Sequence, residues 1–573
     1  MRRLPDGRVV LDGDVPPVAM SFATTGWNRT GVWRSREPVF RDRTAPCAAA
    51  CPAGEDIADQ LRLAAQGRMA EAGELVLSVN PLPATTGRVC PHPCAAACNR
   101  ATLDGAVDIP GVERALGDAL LVAGIVPRPA RPLGLRTAVV GAGPAGLAAA
   151  HRLALAGARV RLLAPEDRPG GLLLTGIPPY RLPRAVLDAE IARTLALGVT
   201  FEGGRRIGAG LQLATLAAEH DAVLLAVGRH APRGLAIPGA AAAGVVEGLA
   251  LLARIHRGEP APPGEAVAVI GGGNTALDCA RTLVRLGRRV TVVYRRGRAD
   301  MPAFADEIEE ALEEGIAIEE WLLPTEVIAR GGRTRWIRLQ RARPGAPDAS
   351  GRPRPEPIRG EGLVLPADLV VVAVGEELEA DALPPELVRA GAVIAGPTHA
   401  TPLSRVFAAG DCLPGGGTVA HAIGSGRRAA DHVLAALGAV PLPAGLLAER
   451  GAAPEVAGPE RIRPHWFGRA VPVGRRRVGP SDRLRGDAEV RTGFSSDAAR
   501  AEAARCLSCG SCTGCDVCFM LCPDRAVLRA APGAYGVDRD RCKGCGVCAE
   551  ECPRGAVDLI AAPAPGASEG TRG

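Results

Sequence analysis

The chain has 573 residues, 47% of them hydrophobic but only 3% aromatic, which is room for about three or four domains with globular cores. A net charge of +6 with scattered arginines gives no support to nucleic-acid binding, and no stretch approaches the ~18 uncharged apolar residues of a membrane span. Met1-Arg2-Arg3 runs into polar residues and prolines without an apolar core, so no signal peptide is expected and the protein is expected in the cytoplasm.

The 17 cysteines gather toward the two ends, with only Cys279 and Cys412 between. Their spacing is that of metal ligands rather than of a secreted disulfide framework. Residues 1–40 are punctuated by Pro and Gly and read as an N-terminal extension. APCAAACPAGEDI then carries Cys47 and Cys51, and NPLPATTGRVCPHPCAAACNR carries Cys90, Cys94 and Cys98. Cysteines at i and i+4 share a helical face, and Cys-Pro commonly closes an iron–sulfur ligand set. Buried structural cysteines are the weaker reading of two such tight groups.

RTAVVGAGPAGLAAA (136–150) is the stretch around which the rest is organised. A buried strand is followed by Gly141, Gly143 and Gly146 at GxGxxG spacing, and then by a helix. The first glycine permits the tight turn, the second lets backbone approach a pyrophosphate, and the third packs helix on strand. An acid is expected about 20 residues beyond the glycines to bind ribose hydroxyls. The end of the second strand is instead Ala164, with Glu166 and Asp167 the nearest acids.

A second unit opens at AVAVIGGGNTALD, with Gly271, Gly273 and Ala276 in the three key places and Asn274 following. Its second strand ends on Arg295 and Arg296 where an NAD site would place an acid. Guanidinium groups suit a 2′-phosphate, so NADP(H) is expected here, with NAD(H) the alternative. FADEIEEALEEG reads as an amphipathic helix without chemistry, and 331–362 as a Gly/Pro/Arg-rich surface excursion. SRVFAAGDC ends in Gly410, Asp411 and Cys412, where the Asp can reach a ribityl hydroxyl of a flavin.

Residues 439–500 are rich in Pro, Gly and Arg and read as a linker. Two repeats follow, Cys512-x2-Cys515-x2-Cys518-x3-Cys522-Pro and Cys542-x2-Cys545-x2-Cys548-x3-Cys552-Pro. In this two-cluster ferredoxin pattern the fourth Cys of each run ligates the other cluster. Cys512, Cys515, Cys518 and Cys552 are thus expected to hold one [4Fe–4S] cluster, and Cys542, Cys545, Cys548 and Cys522 the other. Cys506 and Cys509 are surplus to the pattern.

NPLPATTGRVCPHPC, GAGPAGLAAA, GGLLLTGIPPYRLP, VIGGGNTALDCA, VYRRGRADMPA and VFAAGDC, in this order, make residues 45–435 resemble the glutamate synthase small-subunit family. Its reductase module also occurs in dihydropyrimidine dehydrogenases. The C-terminal cysteine repeats resemble a ferredoxin extension on a branch of that family, some of whose members serve 2-oxoacid oxidoreductases. The resemblance implies an α/β fold with two nested dinucleotide-binding domains, an N-terminal all-α iron–sulfur domain and a C-terminal α+β ferredoxin-like domain. The implied bounds are 41–130 for the helical iron–sulfur domain, 131–245 and 371–438 for the FAD domain, and 246–370 for the NADP(H) domain. A ferredoxin domain over 501–562 and a tail over 563–573 complete the chain. FAD is expected at Gly141, Gly143, Gly146, Gly171, Gly410 and Asp411, and NADPH at Gly271, Gly273, Asn274, Arg295 and Arg296. The family's fuller N-terminal cysteine run is incomplete here, with Val39 and Asp42 at the missing positions. Cys51, Cys90, Cys94 and Glu113 match the ligands of one retained cluster, whereas Cys47 and Cys98 are left with half a set, so one or two N-terminal clusters are implied.

The expected function is electron transfer between NADP(H), FAD and [4Fe–4S] clusters, with no catalytic side chain, as a subunit of a hetero-oligomeric redox complex. The expected partners are the catalytic subunits of a 2-oxoacid oxidoreductase or similar enzyme, or ferredoxin, with no nucleic acid and no membrane. The alternatives are a glutamate synthase small subunit and a non-enzymatic electron-distributing module.

Overall fold

A computed structural model describes residues 29–439, 455–531 and 533–562, together with the short strands Arg2–Arg3 and Val9–Val10. The expected tail over 563–573, most of 1–28 and residues 440–454 of the expected linker lie outside the described residues. The chain forms two compact units. The larger comprises 46–451 and 470–506, and the smaller comprises 1–45, 452–469 and 507–573.

The larger unit is built on two five-stranded parallel sheets of the same plan. In the first, Arg136–Val140 lies between Ala222–Leu225 and Arg159–Leu163, with Val406–Ala408 and Thr200–Glu202 at the edges. In the second, Ala266–Ile270 lies between Leu369–Val372 and Arg289–Val293, with Val245–Glu247 and Ala317–Glu319 at the edges. The central strands are buried on both faces, which is why they read as unbroken apolar runs rather than alternating ones. Because Val406–Ala408 returns to the first sheet after the second is complete, the second domain is nested inside the first. The excursion expected over 331–362 belongs to an antiparallel meander of Leu322–Arg330, Arg333–Pro347 and Pro353–Pro366.

Ahead of the first sheet stands a helical layer in which Pro83–Val89 packs closely on Ile109–Val122. A Cβ on Gly87 would lie 2.4 Å from Arg114 N, and one on Gly117 would lie 2.2 Å from Ala84 N, so both glycines are required by the approach of the two backbones. The linker expectation is corrected for 470–500, which pack within this unit. Arg475 pairs with Asp108 at 2.6 Å, Arg491 with Asp306 at 2.7 Å and Arg477 with Glu313 at 3.0 Å. Phe494 fills the space above Gly111. Arginine–carboxylate pairs carry most of this packing, and they leave no hydrophobic period for a sequence reading to find.

The smaller unit has an antiparallel hairpin of Val527–Ala531 with Ala534–Val537, and a second antiparallel pair of Val557–Ala561 with Arg36–Phe40. Residues 36–40 of the expected N-terminal extension are thus part of this fold. Arg43 is buried and donates to Gly555 O at 2.6 Å, while Phe40 stacks on Tyr535 with centroids 5.7 Å apart. Short helices Val517–Met520 and Val547–Glu550 follow the left-handed residues Asp516 and Gly546, one in each cysteine repeat. No described helix is long and apolar enough to cross a membrane.

Candidate functional site

In the larger unit one cavity opens where the C-terminal ends of the first sheet's strands meet the second domain, the place at which open α/β sheets bind ligands. Gly141, Gly143, Gly171, Asp411 and Asn274 all line it. Gly141 adopts φ +107°, and a Cβ there would meet Ala226 O at 2.1 Å. Gly146 stands behind the loop, where a Cβ would lie 1.8 Å from Gly141 O, so its part is helix-on-strand packing. Gly143 caps the helix Pro144–Leu155 and has open space before it, as a phosphate-binding turn requires. Gly171, at φ +53°, packs its backbone on Gly143 and closes the other wall.

Gly410 N–H donates to Ser425 Oγ at 2.9 Å, and Asp411 Oδ1 accepts from Gly417 N–H at 3.1 Å. Asp411 therefore holds the loop that leads to Thr418, the N-cap of the helix Val419–Ala436, whose first turn faces the cavity. That helix crosses Pro144–Leu155 closely, since a Cβ on Gly426 would lie 2.0 Å from Ala145 O. The acid displaced from the second strand is also located, because Glu166 lines the cavity beyond Ala164. Arg181 and Asp278 form a buried ion pair at 2.8 Å in the wall shared with the second domain. His230, Arg205 and Arg206 also line it, and no spacing in the sequence pointed to these three.

The second glycine loop repeats the design. Gly271 is at φ +145°, where a Cβ would lie 2.2 Å from Ala373 O, and Gly273 caps Asn274–Arg285 with open space before it. Asn274 Oδ1 accepts from Phe304 N–H at 3.1 Å. The two arginines after the second strand differ. Arg295 is exposed, whereas Arg296 is 3% exposed and donates through Nε to Pro353 O at 2.8 Å while pairing with Asp348. The expectation that both face a 2′-phosphate is corrected for Arg296, whose guanidinium is held within the fold.

Among the described residues no cysteine lines the cavity. Cys279 is buried with Sγ donating to Gly248 O, and Cys412 is buried with Sγ donating to Ala409 O at 3.2 Å. Burial pushes both thiols up, Cys412 to about 12, so neither is a reactive thiolate.

In the helical layer, the buried Cys94, Glu113 and Glu55 and the half-buried Cys51 and Cys90 form a mutually interacting set. Burial first, then the carboxylates, pushes Cys51 up to about 12 and raises Cys90 and Cys94 as well. Such a set repels its own charges, and iron bound among the thiols reverses that by favouring thiolate. Glu113 accepts from Thr86 Oγ1 through Oε1 and keeps Oε2 4.0 Å from His92 Nδ1, whose pKa burial lowers to about 3. Cys47 is buried on the short helix Pro46–Ala50, and Cys98 is half-buried at the start of the turn Asn99–Thr102.

In the smaller unit, Cys512, Cys515, Cys518 and Cys552 line one small cavity. Cys518 feels first its burial, pushed up to about 12, and then Cys552, Cys515 and Cys512. Cys548 feels its burial, at about 11, and then Cys542, Cys522 and Cys545. Cys512, Cys515, Cys518 and Cys552 thus share one cavity, and Cys542, Cys522 and Cys545 are the charges felt most by Cys548. Among the described residues no three metal-binding side chains converge on one point as around a single ion. A cluster, unlike a single ion, is held by cysteines spread around a cavity, as Cys512, Cys515, Cys518 and Cys552 are.

The sequence matches the family model for pyridine nucleotide-disulphide oxidoreductases over residues 135–426. It also matches the dihydropyrimidine dehydrogenase domain II, 4Fe-4S cluster model over 41–124, and a 4Fe-4S binding domain over 535–558. Similar curated proteins include the NADP(+)-dependent formate dehydrogenase subunit beta of Moorella thermoacetica, 36% identical over 81% of this chain and 70% of that protein. The NADPH-Fe(3+) oxidoreductase subunit beta of Geobacter sulfurreducens is 37% identical over 60% of this chain, which spans 52% of that relative's length. The glutamate synthase [NADPH] small chain of Azospirillum brasilense is 36% identical over 68% of this chain and 85% of its own. The chain therefore belongs to the pyridine nucleotide-disulphide oxidoreductase family, among the glutamate synthase small-subunit-like FAD-dependent NAD(P)H oxidoreductases that carry 4Fe–4S domains on either side of the flavoprotein core.

Proposed function

We propose that the chain is the NADPH-reactive electron-transfer subunit of a larger redox complex. One observation carries this reading. The cavity lined by the first glycine loop is also lined by Asn274 and Thr275 of the second, and by Val89, the residue before Cys90. A nicotinamide entry and a one-electron exit thus share one wall. When bound there, FAD would accept a hydride from NADPH and release its electrons singly to iron–sulfur centres. The residues of the chain position the groups and exclude water. Gly141 and Gly143 give backbone access to the pyrophosphate, Glu166 stands at the ribose end, and Asp411 fixes the loop beside the flavin. Arg295 supplies the exposed guanidinium for the 2′-phosphate. Cys51, Cys90, Cys94 and Glu113 hold the cluster of the helical layer, and the two C-terminal sets hold the clusters that meet a partner.

The partner favoured by the sequence resemblance is a 2-oxoacid oxidoreductase. A formate-oxidising partner is the second reading, supported by the similarity to the Moorella thermoacetica subunit along most of this chain. Anaerobic purification from the native host identifies the subunits that travel with the chain. NADP+ reduction is then measured with a 2-oxoacid plus coenzyme A and, separately, with formate. NADPH-dependent dye reduction by the chain alone is expected. A purified chain that holds flavin but transfers no electrons from NADPH overturns the reading.

A further inference from the structure

The two ferredoxin cysteine sets have the same spacing, yet the start of the chain surrounds them differently. The strand Arg36–Phe40 lies along Val557–Ala561, and the residues flanking it reach one site each. On one flank the backbone N–H of Cys512 donates to Asp42 Oδ1 at 3.0 Å. Asp42 is exposed, and among the described residues no cation is paired with it. The other charged groups at that site are Asp516, paired with Arg529 and accepting from the Tyr535 hydroxyl at 2.8 Å, and Arg554, whose guanidinium lies over the Phe467 ring at 5.2 Å.

On the other flank, Arg34 packs on Gly544, between Cys542 and Cys545. A Cβ at Gly544 would lie 3.2 Å from Arg34 Cγ and 2.2 Å from Arg36 O. Arg34 donates to Arg539 O and pairs with Glu37 at 3.5 Å, while Lys543 pairs with Asp524 at 3.3 Å. The two sites thus differ in the sign of the charge the chain start brings to them. Asp42 thus brings a negative charge to Cys512, and Arg34 a positive one to the turn between Cys542 and Cys545.

We propose that this N-terminal strand sets the order in which the two ferredoxin clusters fill, with Asp42 making the Cys512 site harder to reduce and Arg34 making the Cys542 site easier. One electron, drawn from NADPH through the flavin, passes from the reduced cluster at Cys512 to the oxidised one at Cys542. The first loses what the second gains, and no bond forms or breaks. A negative charge beside a centre opposes its gaining an electron and a positive charge favours it, and at hydrogen-bond range the interaction exceeds thermal energy even where, as at Asp42 and Cys512, both groups are exposed. The proposal rests on the eight cysteines holding two clusters, which iron content tests separately.

The test is an anaerobic redox titration of the full-length protein followed by electron paramagnetic resonance, alongside iron analysis. Asp42→Asn is expected to raise the potential of the lower ferredoxin wave and leave the upper one in place. That shift should change the partition of one electron between the two sites by about fivefold or more. Arg34→Gln is expected to lower the upper wave, and the charge-preserving Asp42→Glu to move neither. Full iron with unmoved waves, or both waves moving together, overturns the proposal. So does loss of iron in Asp42→Asn, which would make Asp42 a structural cap. A wild type without ferredoxin iron would instead overturn the cluster assignment beneath it.

Discussion

Arg295 and Arg296 are neighbours in sequence with different surroundings. Arg295 stands exposed, its pKa lowered first by partial burial and then by the nearby charges of Arg296 and Arg352, so an incoming phosphate dianion would relieve repulsion as well as find a donor. Arg296 ties the strand end to the meander through Asp348 and Pro353 O. Arg295→Ala is expected to raise the KM for NADPH about tenfold or more while leaving that for NADH within about twofold, measured by dye reduction. Arg296→Ala is expected to lower thermal stability and weaken both nucleotides together. Two arginines after a strand were legible in the sequence, but which of them faces solvent depends on Asp348, far along the chain. Glu166 shows the reverse case, since the acid lies just beyond the expected position and only the bend after Leu163 brings it to the cavity.

The elements that were easiest to read are those whose requirements are local. A glycine loop needs its conformation within a few residues, and Gly141, Gly171 and Gly271 all take left-handed or otherwise glycine-only angles where the pattern demanded them. The segment 470–500 was illegible because it is held by ion pairs to Asp108, Asp306 and Glu313, and such pairs leave no period in sequence. The helical layer was half legible. Its cysteines announced themselves, but the glycines that let Pro83–Val89 meet Ile109–Val122 did not. Gly117→Val would drive a side chain into Ala84 N. Overpacking of this kind costs about 1–3 kcal/mol or more, and here it would part Glu113 from Cys90. The expected result is loss of about four irons per chain with flavin retained, read by iron and flavin analysis of the same sample.

For the molecule as a whole, acid stability follows from histidines that the fold keeps neutral. Burial lowers the pKa of His151 to about 4, opposed by its bond to Leu77 O at 2.8 Å, and lowers that of the half-buried His256 to about 4. Both values lie below the unfolded 6.5, so the unfolded chain binds protons first as pH falls. The contribution of these two histidines is therefore flat above about pH 7.5 and declines from about 6.5 toward 4, by up to roughly 1.4 kcal/mol per pH unit for His151 and less for His256, while Asp278, whose carboxyl burial raises to about 6, contributes in the opposite direction. His151→Gln should make the melting temperature fall less, or rise more, between pH 7.5 and 5.5. Deleting residues 1–45 removes the strand paired with Val557–Ala561 and the buried Arg43. The expected outcome is loss of the C-terminal clusters with NADPH-dependent dye reduction retained, checked by iron content and activity. Full ferredoxin iron in the deleted protein would contradict it.

Arg43 meets Gly555 across 512 positions of sequence, so the ribosome makes one strand of the smaller unit long before the strand that pairs with it. At about 5–20 residues per second that first strand waits for its partner for roughly 25 to 100 s. The intervening flavoprotein core, whose sheets close within their own stretch, has its residues available for folding much earlier. Maturation therefore has a built-in sequence, in which nucleotide-binding domains can form on the nascent chain and the ferredoxin clusters can be enclosed only once Val557–Ala561 has emerged. On the reading proposed above, a chain stalled or clipped before that strand would be a flavoprotein able to take hydride but without its C-terminal outlet, so the last of the described strands to be made is also the step that would turn the reductase into a conductor.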